Sequence, residues 1–167
     1  KGDPDATFGT AGALIMLNTR VGEGVAVQSD GRIVLVGDID GAAPETQRFL
    51  TMRLNVNGTP DTSFGTGGKV ITPLTERGDQ AKAVALQADG KIVVAGRSNN
   101  QANPNFAAIR YNANGTQDAS FGAASLITVD FFGFTDIAEN VAIAPDGTIY
   151  VSDLGLSTIR ILRREPF

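Results

Sequence analysis

The sequence predicts an all-β fold made of three copies of one unit. Residues 112–122 (NANGTQDASFG) closely resemble residues 55–65 (NVNGTPDTSFG), and residues 5–9 (DATFG) form a shorter third copy. One phenylalanine recurs in these copies at intervals of 56 and 57 residues, as Phe8, Phe64 and Phe121. An Asp-Gly turn signal recurs at intervals of 59 and 57 residues, at Asp30, Asp89 and Asp146. Two independent markers that recur with nearly the same period indicate a repeat architecture.

The first unit is predicted to contain four short strands separated by turn signals. The strands are expected at residues 13–18, 24–28, 32–37 and 48–54. Ser29-Asp30-Gly31 is expected to form the hairpin between the second and third strands, because Asp-Gly accepts the positive φ values of a tight turn. A longer loop over residues 38–46 leads to the fourth strand.

The second and third units repeat this order of elements. Their strands are predicted at residues 69–73, 81–87, 91–97 and 105–111, and at residues 126–130, 140–144, 148–152 and 157–162. Their hairpins fall at residues 88–90 and 145–147. We expect the units to cover about residues 5–54, 61–111 and 118–163 of a single domain over residues 1–167.

Equivalent positions in the three units are apolar, which predicts how the units pack. Examples are the sets Val25, Val84, Val141 and Ile33, Ile92, Ile149. A four-stranded sheet with two apolar faces cannot bury both alone, so the units must stack on each other. Stacked four-stranded antiparallel sheets at this period are typical of a β-propeller, with one blade per unit.

Three longer motifs resemble known families. AVALQADGKIVVAG at residues 83–96 and RYNANGTQDASFG at residues 110–122 resemble the bacterial delta-60 repeat family, and the third unit, with DGTIYVSD at residues 146–153, is similar to NHL-repeat propellers. In the delta-60 family an opening like residues 2–9 often follows a cleaved export signal. The resemblance therefore implies a propeller fold and a secreted, periplasmic or cell-surface bacterial protein. It implies no catalytic activity.

The composition argues against several classes of protein. The chain has 167 residues, of which 42% are hydrophobic and 19% are charged, as in a globular protein. Its formal net charge of -4 leaves no basic stripe for nucleic acid, and no apolar run approaches the roughly 18 residues of a membrane helix. The chain has no cysteine and no histidine, which removes disulfides, zinc–sulfur sites and histidine-assisted nucleophiles.

Three blades are too few to close a propeller, which typically has about four to eight. Both terminal sheets would then expose an apolar face to water. A second copy related by two-fold symmetry would give six blades, with blade one of each chain stacked on blade three of the other. We therefore expect a homodimer. The alternative is that these residues belong to a longer array that closes within one chain.

Oxygen-bearing side chains recur on the turns and outer loops, which we expect to share one face. They are Asn55, Asn57, Asp61, Asn112, Asn114 and Asp118, with Asp30, Asp89 and Asp146. A hard cation such as Ca²⁺ takes six to eight oxygens. We favour the other interpretation, in which these residues cap backbone N–H groups of their own turns. Asp38, Asp40 and Glu45 form a second possible Ca²⁺ site, and we expect no other cofactor.

Two further residue types recur once per unit. We interpret Phe8, Phe64 and Phe121 as apolar wedges between blades rather than as an aromatic binding surface. Arg53, Arg110 and Arg160 lie on the predicted fourth strands, and we expect their stems to pack on the sheet while their head groups are solvated or paired.

Residues that break the repeat are the predicted ligand-binding residues at one mouth of the central channel. They are Arg20, Glu23, Glu76, Arg77, Asp79, Asp130 and Asp136, next to Phe131 and Phe132. A solvated ring of loops is the other interpretation. The leading hypothesis is a non-catalytic binding or structural module with a protein or glycan ligand. The alternative is a Ca²⁺-assisted hydrolase or lyase that uses Glu23, Asp130 or Glu139 as paired carboxylates.

Overall fold

A computed structural model describes residues 2–14, 19–40, 46–75, 77–100, 103–123, 125–131, 133–154 and 158–162. This part of the chain forms eleven strands and no helix, and therefore has no helix that could cross a membrane. The strands are β1 (Thr19–Val27), β2 (Ile33–Ile39), β3 (Arg48–Leu54), β4 (Lys69–Thr72), β5 (Gln80–Leu86), β6 (Ile92–Asn100), β7 (Asn103–Tyr111), β8 (Leu126–Val129), β9 (Ala138–Ile143), β10 (Ile149–Asp153) and β11 (Thr158–Leu162).

The strands form three antiparallel sheets that follow one another along the chain. Sheet 1 has the order β1-β2-β3-β4, sheet 2 has the order β5-β6-β7-β8, and sheet 3 has the order β9-β10-β11. Within the described residues, sheet 3 thus has three strands where the other two sheets have four. The predicted all-β class built from repeated antiparallel sheets is confirmed.

The fourth strand of each four-stranded sheet comes from a part of the chain that was predicted to belong to the next unit. Lys69–Thr72, predicted as the first strand of the second unit, pairs with β3 of sheet 1, and Leu126–Val129 pairs in the same way with β7 of sheet 2. Each of these sheets therefore begins one strand later than the predicted units at 5–54 and 61–111. The reason is that a period fixes the length of a repeat and not the point at which the chain passes from one sheet to the next.

The predicted Asp-Gly hairpins join the first and second strands of each sheet. Gly31, Gly90 and Gly147 have φ values of 81°, 82° and 85°, a left-handed conformation that glycine adopts without steric cost. The preceding carboxylates accept hydrogen bonds from backbone N–H groups two residues later, at 3.0 Å from Arg32, 3.1 Å from Lys91 and 2.9 Å from Thr148. The hairpin predictions are confirmed in all three sheets.

Two apolar cores lie between successive sheets. The core between sheets 1 and 2 contains Val34, Val36 and Phe49 of sheet 1, facing Ala81, Ile92, Val94, Ala107, Ile109 and Tyr111 of sheet 2. The core between sheets 2 and 3 contains Val93, Ala95, Phe106 and Ala108, facing Ala138, Ile149 and Val151. Successive residues of β6 enter opposite cores, as the two-residue period of a strand requires. Sheet 2 is thus apolar on both faces and is covered on both.

The three repeated phenylalanines, which we call the wedge phenylalanines, are buried to different extents. Phe64 is fully buried between sheets 1 and 2, and Phe121 is 6% exposed between sheets 2 and 3. Phe8 is half-buried and packs on the remaining face of sheet 1, against Leu50, Met52 and Leu54. The wedge interpretation is confirmed for Phe64 and Phe121, which each fill a junction between two sheets.

The two faces that point away from sheet 2 carry exposed apolar side chains. On the outer face of sheet 1, Val25 and Val27 are 63% and 65% exposed. On the outer face of sheet 3, Tyr150, Ile161 and Ile159 are 39%, 47% and 74% exposed. Tyr150 lies opposite Ile161 on the neighbouring strand, so these side chains form one continuous patch.

Candidate functional site

A group of polar contacts joins the third strand of sheet 1 to the loop that follows it. Arg53 Nε donates to Asp61 Oδ2 at 2.7 Å, and the guanidinium carbon lies 4.9 Å from the centroid of the Phe64 ring. The other carboxylate oxygen, Oδ1, accepts hydrogen bonds from the Ser63 backbone N–H at 3.0 Å and from its hydroxyl at 2.7 Å. We call Arg53, Asp61, Ser63 and Phe64 the first junction cluster. Both charged residues are buried, at 5% and 6% exposure.

Sheet 2 carries the same arrangement, the second junction cluster, formed by Arg110, Asp118, Ser120 and Phe121. Arg110 Nε donates to Asp118 Oδ2 at 2.8 Å, and its guanidinium carbon lies 4.7 Å from the Phe121 ring centroid. Each carboxylate also meets a second cation. Arg32 Nε lies 3.1 Å from Asp61 in sheet 1, and Lys91 Nζ lies 3.0 Å from Asp118 in sheet 2. Repetition in successive sheets is what a scaffold contact shows.

Contacts of the first junction cluster cross from sheet 1 to sheet 2. Arg53 Nη1 donates to the carbonyl of Ala113, in the loop after β7. Gly65, directly after the wedge phenylalanine, donates its backbone N–H to the Asn114 carbonyl at 2.9 Å. The cluster therefore joins two successive sheets, and the expectation of a paired arginine head group is confirmed at Arg53 and Arg110.

Arg160 is not equivalent to these two arginines. Arg53 lies opposite Val34 and Arg110 lies opposite Val93, whereas the equivalent position in sheet 3, Tyr150, lies opposite Ile161. The predicted equivalence was wrong by one residue, because the third unit is shorter between its last two strands. A shift of one residue moves a side chain to the other face of a sheet. Ile161 thus replaces the arginine on the outer face of sheet 3.

Hydrogen bonds stabilise the charged form of both cluster carboxylates. The Ser63 hydroxyl, helped by the Ser63 N–H and by Arg53, lowers the pKa of Asp61 against the opposing effect of burial. Burial alone would raise the pKa of Asp118, but hydrogen bonds from Ser120 and Lys91 outweigh it and hold that pKa well below its usual range.

Acid should therefore destabilise the fold in a defined window. A depressed pKa contributes stability that is present above the unfolded-state pKa of about 3.9 and is lost as the pH falls through the folded-state pKa. Because the chain has no histidine, we expect the urea midpoint to stay level from about pH 8 to 5 and to fall below about pH 4. The urea midpoint of Asp118→Asn should decrease less than that of the parent below about pH 4. The midpoint of Asp3→Asn, which changes an exposed position, should decrease as much as that of the parent. An unchanged acid slope in Asp118→Asn would contradict the assignment.

The turn and loop oxygens are engaged by their own loops. Asn57 Oδ1 accepts hydrogen bonds from the backbone N–H and hydroxyl of Thr59 at 3.1 and 2.7 Å, and Asn114 does the same with Thr116 at 3.0 and 2.7 Å. These contacts match the capping interpretation. Over the described ranges, no three acidic side chains converge as a metal site would require.

The second cation hypothesis concerns three acids around the end of β2. Asp38 is 1% exposed on β2, opposite Phe49 of β3 and therefore on the face toward sheet 2. Asp40 is exposed directly after this strand, and Glu45 lies outside the described residues. Calcium binding by Asp38, Asp40 and Glu45 stays a prediction.

Asp79, one of the predicted channel-mouth residues, is fully buried at the start of sheet 2. Its carboxylate accepts hydrogen bonds from the backbone N–H groups of Leu74 and Thr75, both at 2.8 Å, and from the Thr75 hydroxyl at 2.7 Å. Its own N–H donates to the carbonyl of Gln47, directly before β3 of sheet 1, at 2.8 Å. Asp79 thus caps the loop that connects two sheets.

Asp136 repeats this arrangement at the start of sheet 3. It is fully buried, accepts a hydrogen bond from the Phe131 N–H at 2.7 Å, and donates its own N–H to the Pro104 carbonyl at 2.8 Å. Asp79 and Asp136 are 57 residues apart, the spacing of the other repeat markers. They therefore keep the repeat in sheets 2 and 3 rather than break it, and the sequence spacing was the signal that could have shown this.

The remaining channel-mouth candidates lie on or near inner strands and their loops. Glu23 of β1 pairs with Lys82 of β5 at 3.2 Å. The exposed Asp130 accepts a hydrogen bond from the Gly133 N–H at 2.7 Å, and the exposed Arg77 donates its N–H to the Thr75 hydroxyl at 3.1 Å. Arg20 lies on β1, Glu139 lies on β9, and Glu76 and Phe132 lie outside the described residues. Ligand binding by this group stays a prediction.

One open depression of about 590 Å³ lies on the turn face of sheet 1. Asp30 and Arg32 of the hairpin line it together with Asn55, Val56 and Asn57 of the loop after β3. The predicted meeting of hairpins and outer loops on one face is thus confirmed for sheet 1. Arg32 Nη1 and Asp30 Oδ2 lie 2.8 Å apart, so the two charges on this surface largely neutralise each other.

Two segments of the chain, residues 28–64 and 87–121, match the family model described as a domain of unknown function (DUF5122) beta-propeller. Each match begins at the glutamine just before the Asp-Gly turn and ends at a wedge phenylalanine, so both cover the same elements of sheets 1 and 2. None of the curated proteins compared with the chain matches it. Geometry and family match together make the chain a β-propeller domain built from repeats.

Proposed function

We propose that the chain is a non-catalytic binding or structural module that forms half of a six-bladed propeller with a second copy of itself. The observation that carries the proposal is the pair of exposed apolar faces on sheets 1 and 3. The contacts inside the chain support it, because sheet 2 is covered on both sides by neighbouring sheets.

Equivalent residues of the outer face of sheet 1 are covered wherever a preceding sheet exists. Val25 and Val27 are 63% and 65% exposed. Their equivalents Val84 and Leu86 pack into the core between sheets 1 and 2, and Val141 and Ile143 pack into the core between sheets 2 and 3. A sheet stacked on this face would therefore give Val25 and Val27 the environment that their equivalents have.

The same comparison holds for the outer face of sheet 3. Tyr150 is 39% exposed, whereas its equivalents Val34 and Val93 are fully buried by a following sheet. Ile159 is 74% exposed, whereas the equivalent Thr51 and Ala108 are fully buried. In a two-fold dimer, this face of each copy meets sheet 1 of the other. Two such junctions would bury on the order of 2,000 Å², the size of an obligate interface.

The non-catalytic assignment rests on what the polar side chains of the described residues already do. The buried carboxylates of Asp61 and Asp118 accept hydrogen bonds from their own loops and from scaffold arginines, and that of Asp79 accepts hydrogen bonds from its own loop. Their repetition from sheet to sheet is typical of structural roles. Function would then depend on the surface that the assembled ring presents. Export of the protein stays a prediction from its family resemblance.

Light scattering tests the assembly with three matched variants. The parent chain is expected to have about twice the mass of one 17.4 kDa chain. Val27→Asp and Tyr150→Asp should each give a folded protein of single-chain mass, because either places an uncompensated charge in a junction. Val56→Asp is the control, since Val56 is also 65% exposed but lies on a turn. A folded parent with single-chain mass would contradict the proposal.

A further inference from the structure

We infer that residues 5–14, here called the N-terminal segment, pair with β11 of a second copy and complete its sheet 3 as a fourth strand that includes Ala13 and Leu14. This inference rests on the proposed dimer and specifies which elements form its junction. It is supported by the matching hydrogen bonds and packing of the N-terminal segment and the segments that lead into β4 and β8.

The N-terminal segment has the internal contacts of the segment before β4. Asp5 Oδ1 accepts hydrogen bonds from the Thr7 N–H at 2.9 Å and hydroxyl at 2.6 Å, as Asp61 does from Ser63. Further along, Thr10 donates its N–H to the Ala13 carbonyl at 2.8 Å, as Thr66 does to Lys69 at 2.9 Å. By this equivalence Ala13 corresponds to Lys69, the first residue of β4, and Leu14 corresponds to Val70.

The N-terminal segment also sits on sheet 1 as the segment before β4 sits on sheet 2. Gly9 donates its N–H to the Asn57 carbonyl at 2.9 Å, and Gly65 donates to the Asn114 carbonyl at the same distance. Phe8 and Leu14 pack against the buried Leu50, Met52 and Leu54 of sheet 1. The segment therefore occupies the place that the outer part of a preceding sheet would have.

Sheet 3 is the sheet that such a strand fits. Sheets 1 and 2 each have a fourth strand that follows a wedge phenylalanine, whereas the described residues of sheet 3 form three strands and end at β11. An unpaired edge strand is a template for a further strand. Within the described residues, the N-terminal segment is paired with no sheet of its own kind, and sheet 3 has no fourth strand; a second copy would bring the two together.

The equivalence also fixes the register of the pairing. Met52 lies opposite Lys69 in sheet 1, and Ile109 lies opposite Leu126 in sheet 2. The residue of β11 that corresponds to Met52 and Ile109 is Arg160, because it lies opposite Val151 as they lie opposite Leu35 and Val94. Arg160 should thus lie opposite Ala13 of the second copy.

Paired cysteines test this register, because the chain contains no cysteine of its own. The variant Ala13→Cys, Arg160→Cys should form disulfide-linked dimers on mild oxidation, since opposed Cβ atoms in a sheet lie about 4.5 to 5.5 Å apart. Ala13→Cys with Ile159→Cys is the matched control, and its yield should be much lower because neighbouring residues of a strand face opposite sides. Met52→Cys with Lys69→Cys should cross-link within one chain and serves as the positive control.

The outcomes separate this inference from the proposed dimer. Free thiols in a protein of dimer mass would overturn the strand pairing and leave the dimer standing. Free thiols in a protein of single-chain mass would overturn both. Disulfides that form within one chain would also overturn the pairing between copies. A ladder of longer disulfide-linked chains would support the pairing but contradict closure by two copies.

A second test introduces a charge at Ile161, and the expected effect on the dimer depends on the sign of that charge. Ile161 corresponds to Arg53 and Arg110, and Asp5 of the second copy corresponds to their partners Asp61 and Asp118. Ile161→Arg should therefore maintain or tighten the dimer, whereas Ile161→Glu should weaken it at least about tenfold. Adding Asp5→Ala should remove any gain made by the arginine. Equal weakening by both charges would overturn the inferred position of the N-terminal segment.

Discussion

Replacing Phe64 with alanine is expected to lower the free energy of unfolding by about 4 kcal/mol. The ring is fully buried between sheets 1 and 2 and lies 4.9 Å from the Arg53 guanidinium. Its removal leaves a cavity at the junction and takes away the aromatic partner of a buried cation. Urea unfolding followed by circular dichroism measures the loss.

Two controls separate burial from the mere loss of an aromatic ring. Phe134→Ala removes a ring that is 58% exposed and should change the unfolding free energy by less than about 0.5 kcal/mol. Phe121→Ala removes the equivalent wedge of the second junction, at 6% exposure, and should cost about as much as Phe64→Ala. A loss below about 1 kcal/mol for Phe64→Ala would contradict the wedge role.

Replacing Asp61 with alanine is expected to cost about 3 kcal/mol of unfolding free energy. Arg53 is 5% exposed and donates to this carboxylate at 2.7 Å, so the change leaves a buried cation without its nearest counterion. The Ser63 N–H and hydroxyl lose their acceptor at the same time. Urea unfolding at pH 7 measures the effect.

A double-mutant cycle is the control for Asp61. Arg53→Met with Asp61→Ala should be more stable than the sum of the two single losses predicts, because removing both charges leaves neither uncompensated. Glu23→Ala should cost less than about 1 kcal/mol, since its ion pair with Lys82 joins partly exposed side chains. Strict additivity of the Arg53 and Asp61 changes would show that the two do not act as a pair.

The repeat, the strands and the turns could be predicted from the sequence because each leaves a local signal. The Asp-Gly pairs at residues 30, 89 and 146 recur with the repeat, and each forms the predicted hairpin. The buried positions of Phe64 and Phe121 followed from one large apolar residue per unit. Such signals need no knowledge of which strands are neighbours.

Features that depend on strand pairing could not be predicted in the same way. Lys69–Thr72 has the composition of a strand, but only pairing with β3 shows that it belongs to sheet 1. Arg160 matched Arg53 and Arg110 by residue type, yet the register places Ile161 at that position. A strand shifted by one residue exposes its opposite face. An error of one residue therefore assigned an arginine to a position that the exposed Ile161 occupies.

The candidate site showed the same limit at Asp79 and Asp136. The sequence presents both as residues that break the repeat, but their buried carboxylates cap equivalent loops in sheets 2 and 3. The first unit lacks an aspartate at this position, and that absence hid the equivalence of the other two. The 57-residue spacing of Asp79 and Asp136 does indicate their equivalence, but a residue kept in two of three units is a weaker signal than one kept in all three.

The proposed dimer requires that the outer faces of sheets 1 and 3 close a ring with a second copy. A crystal structure of the assembled protein measures this most directly. We expect six sheets around one axis, with the face of Val27 in each copy covered by the face of Tyr150 in the other. A folded single chain in which both faces remain bare, with no second copy on either, would contradict the claim.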